Sequence, residues 1–306
     1  MDITKEMLSV LKLTALSLLT FIRTLPAIII VYLIPALAIV FFVSPHVSDV
    51  PLLIAKQASP SHLTYLMVFK QVIARPEVFL SLVLFAAVYI YAITFTYLYT
   101  EGILNRVKAG LYYVIPQSVL AFPRFIAAIV ACAGVIFLFL SAPYIPAFFT
   151  PLTPALSLGL FLLWWLALIF VIFFIFTGIF FGRVAVLRNK WPRGIFYYSY
   201  KLVYGRGLKL LVYLIIISFI NAVLLFTLKL FMPVLLGIFA SSVGADKGGA
   251  AIPYAIALYV GASFYYSVAL TTYFLNMDYM LNRDNKKMEL FSRVAAINDN
   301  SMPVLK

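Results

Sequence analysis

Residues 182–209 read GRVAVLRNKWPRGIFYYSYKLVYGRGLK. Arg183, Arg188, Lys190, Arg193, Lys201, Arg206 and Lys209 fall within this stretch, and no carboxylate does. Long apolar runs flank it, Ala155–Phe181 before and Leu210–Met232 after. A basic, tyrosine-rich segment between two runs of membrane length reads as an interfacial loop on the cytoplasmic face, where insertion retains Lys and Arg.

The rest of the composition agrees. Of 306 residues, 65% are hydrophobic and only 11% charged, and the mean hydropathy is +1.08. Too few polar side chains are present to cover a soluble globule of this length, so lipid must be the solvent for most of the surface. The net charge of +13 does not point to nucleic acid, because the cations sit at the ends of apolar runs rather than on a soluble domain. That placement suits anionic headgroups. Cys132 is the only cysteine, which excludes an intrachain disulfide and a thiolate metal site. The opening MDITKEML carries acids beside its lysine, and no small-residue cleavage site follows, so the first apolar region reads as retained.

Six spans are expected, at about 26–42, 78–99, 125–140, 155–181, 210–229 and 254–273. Residues 7–22 are interrupted by Lys12 and read as a helix lying in the interface and ending at Arg23, with Pro35 predicting a kink beyond it. Residues 1–281 form the six-span domain and 282–306 a cytoplasmic tail. Ser44–Glu77 is the longest polar segment, and Ser141–Pro154 is an uncharged, proline-rich turn. The fold class is therefore all-α and polytopic. Lys5, Lys12, Arg23, Arg106, Lys108, Arg124, the seven cations of 182–209, Arg283, Lys286, Lys287, Arg293 and Lys306 fall on one side of it. Lys56, Lys70, Arg75 and Lys247 fall on the other, which makes 18 against four, with Lys229 the remaining one of 23. Both termini are thus expected to be cytoplasmic, in a cell (inner) membrane.

Three segments share a layout of short interfacial helix, basic residue and span pair. They are SVLKLTALSLLTFIR ending at Arg23, GLYYVIPQSVLAFPR ending at Arg124 and GIFYYSYKLVYGR ending at Arg206. In the third, a helical wheel puts Ile195, Tyr198, Leu202 and Val203 on one side and Tyr197, Tyr200, Lys201 and Tyr204 opposite. The openings Gly110-Leu-Tyr-Tyr and Gly194-Ile-Phe-Tyr-Tyr, with Arg124 and Arg206, resemble six-span proteins of the YciC type. They also look like the membrane-anchor domain of some glycerophosphodiester phosphodiesterases. In those fused enzymes the chemistry belongs to a separate soluble domain that this chain lacks, so the resemblance implies architecture and carries over no functional residue.

The middles of the six spans contain no ionisable side chain, which argues against proton relays and ion-coupled carriers. Gly178 and Gly182 have GxxxG spacing, and small residues from Ala127 to Gly134 allow another helix to come close. No nucleophile elbow, metal-ligand pair, phosphate loop or paired carboxylates occur, so no catalytic, cofactor or metal site is expected; His46 and His62 lie in a loop without carboxylates at ligand spacing. Arg124, Arg183, Arg188, Lys190, Arg193, Lys201 and Arg206 are the candidates for contact with lipid headgroups or a partner. Tyr89, Asn221, Ser263 and Tyr265 are the candidates for lining a cavity. Two functions follow as expectations. One is a non-catalytic scaffold, assembly factor or subunit packing against anionic lipids, further copies of itself or a partner membrane protein. The other is a permease for lipids or apolar small molecules with a tyrosine-lined cavity.

Overall fold

The computed structural model describes residues 3–47, 70–105, 110–141, 154–190, 192–243 and 251–281. All regular structure among them is helical. Six helices are long and apolar enough to cross a membrane: Ser9–His46, Pro76–Leu104, Leu111–Ser141, Ser157–Leu187, Gly207–Val234 and Pro253–Leu281. Of the expected polar segment Ser44–Glu77, residues 48–69, with Lys56 and His62, lie outside the described residues, as does the tail over 282–306. Two compact units are present, one of residues 1–111 with 211–272 and one of 112–210 with 273–306.

In the first unit, α1 (Ile3–Ile28) leads through a π-helical turn, Ile29–Leu33, into α2 (Ile34–Val47) without a break. The wide turn directly precedes Pro35, whose ring and missing N–H are incompatible with a normal α-turn there. Where a kink is expected at Pro35, the structure has this π-helical turn. The separate interfacial helix expected over 7–22 is not observed, because α1 continues through Arg23 and Pro26. The reason is an unbroken buried stripe: Val10, Thr14, Ser17, Thr20, Thr24, Ala27, Ile28 and Tyr32 all face inward. Leu11, Leu16, Leu19, Ile22, Leu25 and Ile30 face outward. This inverted pattern, hydroxyls inside and leucines outside, is that of a helix solvated by lipid. The Ser and Thr hydroxyls of the stripe donate within their own helix: Thr14 to the Val10 carbonyl at 3.0 Å, Ser17 to Thr14 at 2.7 Å, Thr20 to Leu16 at 2.7 Å and Thr24 to Phe21 at 2.9 Å.

α3 (Pro76–Leu104) starts with Pro76 in its first turn, after extended Arg75 and with Glu77 beside it, an arrangement suited to a helix N-terminus. The Arg75 guanidinium donates to the His46 carbonyl at 2.5 Å and joins the end of α2 to the start of α3. α9 (Ala251–Ala262) and α10 (Phe264–Leu281) divide the sixth expected span at Ser263, which donates to the Val260 carbonyl at 2.6 Å. Tyr32, fully buried, is the hub of this unit. Its ring meets Phe85 and Tyr89 edge-on and Phe264 at 4.9 Å, and its hydroxyl donates to the Ala257 carbonyl at 3.3 Å. α8 (Gly207–Val243) is fixed to α10 by Tyr213, whose hydroxyl donates to the Ala269 carbonyl at 2.8 Å.

The second unit contains α4 (Leu111–Ser141), α5 (Pro154–Thr177), α6 (Phe181–Leu187) and α7 (Pro192–Val203), with the end of α10. The interfacial helix expected to end at Arg124 is the first half of α4, which accommodates both Pro116 and Pro123. Of the three similar segments, only the third is a separate helix. Its boundaries have backbone causes: Asn189 and Gly205 take positive φ, 51° and 74°, and turn the chain into and out of α7. Gly178 and Gly182 do not lie on one continuous helix face, because residues 178–180 form a turn between α5 and α6. Gly182 instead admits the ring of Phe125, which would lie 2.3 Å from a Cβ at that position.

Candidate functional site

α7 shows in three dimensions the division that the wheel places on it. Ile195, Ser199, Leu202 and Val203 are buried, whereas Tyr197 is 69% exposed, Tyr204 just beyond the helix 72%, and Tyr200 and Lys201 are exposed as well. The inner face is fastened at several points. Phe196 packs edge-on against Phe181 at 4.4 Å and meets Phe174 at 5.3 Å, and Ser199 donates to the Thr177 carbonyl at 2.5 Å.

A buried polar cluster completes the attachment. Asp278, near the end of α10, is only 4% exposed. Its Oδ2 accepts from Arg188 Nε at 3.0 Å and Nη2 at 2.5 Å, and its Oδ1 accepts from the Tyr198 hydroxyl. Arg188 also donates to the Leu187 carbonyl at 2.8 Å and lies 5.6 Å from the centroid of the Phe274 ring. Lys190 sits over the Tyr198 ring at 5.6 Å. Carboxylate and guanidinium thus neutralise one another in an apolar setting while the phenol donates to the carboxylate, a geometry that holds elements in place. A charge buried here alone would face a desolvation cost of several kcal/mol.

The seven basic candidates therefore divide. Arg183 is buried, with Nη1 donating to the Ile179 carbonyl at 2.9 Å, and Arg188 is consumed by Asp278. Neither has the exposure that contact with a headgroup needs. Arg206 is half-buried, with Nη1 at 3.6 Å from Met277 Sδ, and Arg124 is half-buried in α4. Lys190, Arg193 and Lys201 are exposed.

Among the cavity candidates, Tyr89 and Ser263 are brought together, their hydroxyls 3.5 Å apart beside Tyr32. Tyr265 is fully buried with its ring edge-on to Phe21 at 5.5 Å. Asn221 is half-buried on α8, and its Oδ1 is enclosed without a hydrogen-bond partner among the described residues. Asp278, just beyond the sixth expected span, is the site residue that the sequence analysis does not single out. Its signal was present: a single carboxylate among Met277, Tyr279 and Met280 requires a cation, and the nearest basic loop supplies one. No protein-family model, curated protein or solved structure matches this chain.

Proposed function

We propose that this chain is a non-catalytic multi-pass protein of a cell (inner) membrane, acting as a scaffold, assembly factor or subunit that packs against lipid and partner helices. The observation that carries this reading is the outward face of α4 and α5. Val130, Phe137, Leu138, Leu158, Leu162 and Ile169 each expose more than half of their surface, and little of either span is buried by the chain itself. Two spans so lightly covered offer apolar surface to lipid, to a second copy or to another membrane protein. The inward hydroxyls of α1 and α3, by contrast, are mostly satisfied by their own backbones, an arrangement suited to packing rather than to turnover. The six-span resemblance to YciC-type and anchor-type proteins fits such a role. Both termini lie on the cytoplasmic side in this reading, on the strength of the 18-to-four distribution of Lys and Arg.

Purification in mild detergent tests it. A stoichiometric partner or a homo-oligomer is expected, and a strictly monomeric, partner-free particle would overturn it. A second reading, a permease for lipid or apolar small molecules, is favoured by the paired hydroxyls of Tyr89 and Ser263 and the enclosed Asn221 Oδ1. Asn221→Leu would then abolish uptake of a transported solute while leaving the thermal midpoint within a few degrees.

A further inference from the structure

The strongest unassigned feature is the outer face of α7. Lys190, Arg193 and Lys201 are exposed, so are Tyr197, Tyr200 and Tyr204, and residues 182–209 contain no acid. Position along the chain limits what can meet this face. The fourth candidate span ends at Leu187, five residues before α7, and the fifth begins at Gly207, four residues after it. Taking those helices as crossing the bilayer, α7 is confined to the level where two spans leave the hydrocarbon. Phenol rings and lysines are the side chains that partition to that level.

We infer that the outer face of α7 is a docking surface for anionic glycerophospholipid headgroups. Arg193 and Lys201 contact the phosphates, and the three tyrosines seat the glycerol and acyl-ester region. The inner face is already occupied by Phe174, Phe181 and the Thr177 carbonyl, and Tyr198 is held by Asp278, so α7 presents its cations in a fixed orientation. Cations gathered on one anchored face favour an anionic headgroup over a zwitterionic one through their net attraction. The inference rests on the membrane reading above and adds the class of lipid and the residues that bind it.

The test uses the full chain in detergent with equimolar phosphatidylglycerol and phosphatidylcholine, washed, with retained lipid quantified per protein. Wild type retains phosphatidylglycerol about 25-fold over phosphatidylcholine, and Arg193→Gln/Lys201→Gln brings the ratio near unity, at roughly a fivefold loss per cation. Arg193→Lys/Lys201→Arg keeps the preference, and so does Lys12→Gln/Arg23→Gln, which removes two exposed charges from α1. No preference in wild type, or an equal loss in the α1 variant, would overturn the inference. If the glutamine variant does not fold, the wild-type ratio is measured against salt; it falls toward unity by 1 M, a salt at which the Debye length is about 3 Å, and a salt-independent ratio would overturn the inference. A monomeric, partner-free particle that still prefers phosphatidylglycerol defeats the scaffold reading and leaves this one standing. A partner protein that shields Tyr197→Cys from labelling, with no lipid preference, does the reverse.

Discussion

Asp278 shows how one side chain can govern a neighbourhood. It accepts from Arg188 through one oxygen and from Tyr198 through the other, and both it and Arg188 are largely buried. Asp278→Asn removes the carboxylate charge from the buried guanidinium, and the expected cost is about 3–5 kcal/mol. Replacing both partners, as Arg188→Met/Asp278→Leu, removes that penalty and restores most of the stability. Thermal unfolding in detergent, followed by circular dichroism, would show the midpoint fall in the single variant and recover in the double. Gly182 gives a second case. Its missing side chain is the space that the Phe125 ring uses, so Gly182→Leu costs about 1–3 kcal/mol, and Phe125→Ala in the same chain relieves part of it.

The helices show what local sequence does and does not encode. The two sides of α7 were legible because its polar and apolar residues alternate with helical period over twelve residues, and tyrosines mark the outer side. Polar substitution therefore acts differently on the two faces. Leu202→Asp is expected to unfold or expel α7 at a cost of several kcal/mol, whereas Tyr197→Ser leaves the unfolding midpoint nearly unchanged. Limited proteolysis near Asn189 and Gly205 would report the difference. The continuity of α1 and α2 was not legible. Leucine and isoleucine recur all along that stretch, and Lys12, Arg23 and Pro26 are more conspicuous in it than the buried hydroxyls that unite the helix. Its 38-residue apolar stretch is about 57 Å long at 1.5 Å per residue, against a hydrocarbon core of about 30 Å. Outward-facing Arg23 gives a boundary at which the helix can leave the hydrocarbon. The break at Ser263 was also hidden, since nothing in GASFYYS departs from an apolar helix except a serine that bonds its own backbone.

Across the whole molecule, fold class and candidate site separate in how far sequence reaches. Six apolar runs and their flanking cations are one-dimensional signals, and they yield six membrane-length helices without knowledge of any contact. The fate of individual cations is a three-dimensional matter. Arg183 and Arg188 are written in the same basic loop as Arg193 and Lys201, yet burial and a carboxylate ninety residues away withdraw them from the surface. For the same reason Tyr89 and Ser263 meet although they are 174 residues apart, a pairing that no local pattern announces. What remains for function is an apolar exterior, an interior satisfied largely by its own backbone, and a tyrosine-and-cation face at the mouth of two spans.

All of this depends on which compartment each loop occupies. The direct measurement is accessibility labelling of single cysteines at Lys190 and Lys56 in a Cys132→Ala background, in sealed right-side-out vesicles with an impermeant maleimide. Lys56→Cys should label in intact vesicles, and Lys190→Cys only after they are opened. Labelling of both positions from the same side would contradict the six-span, cytoplasmic-α7 arrangement.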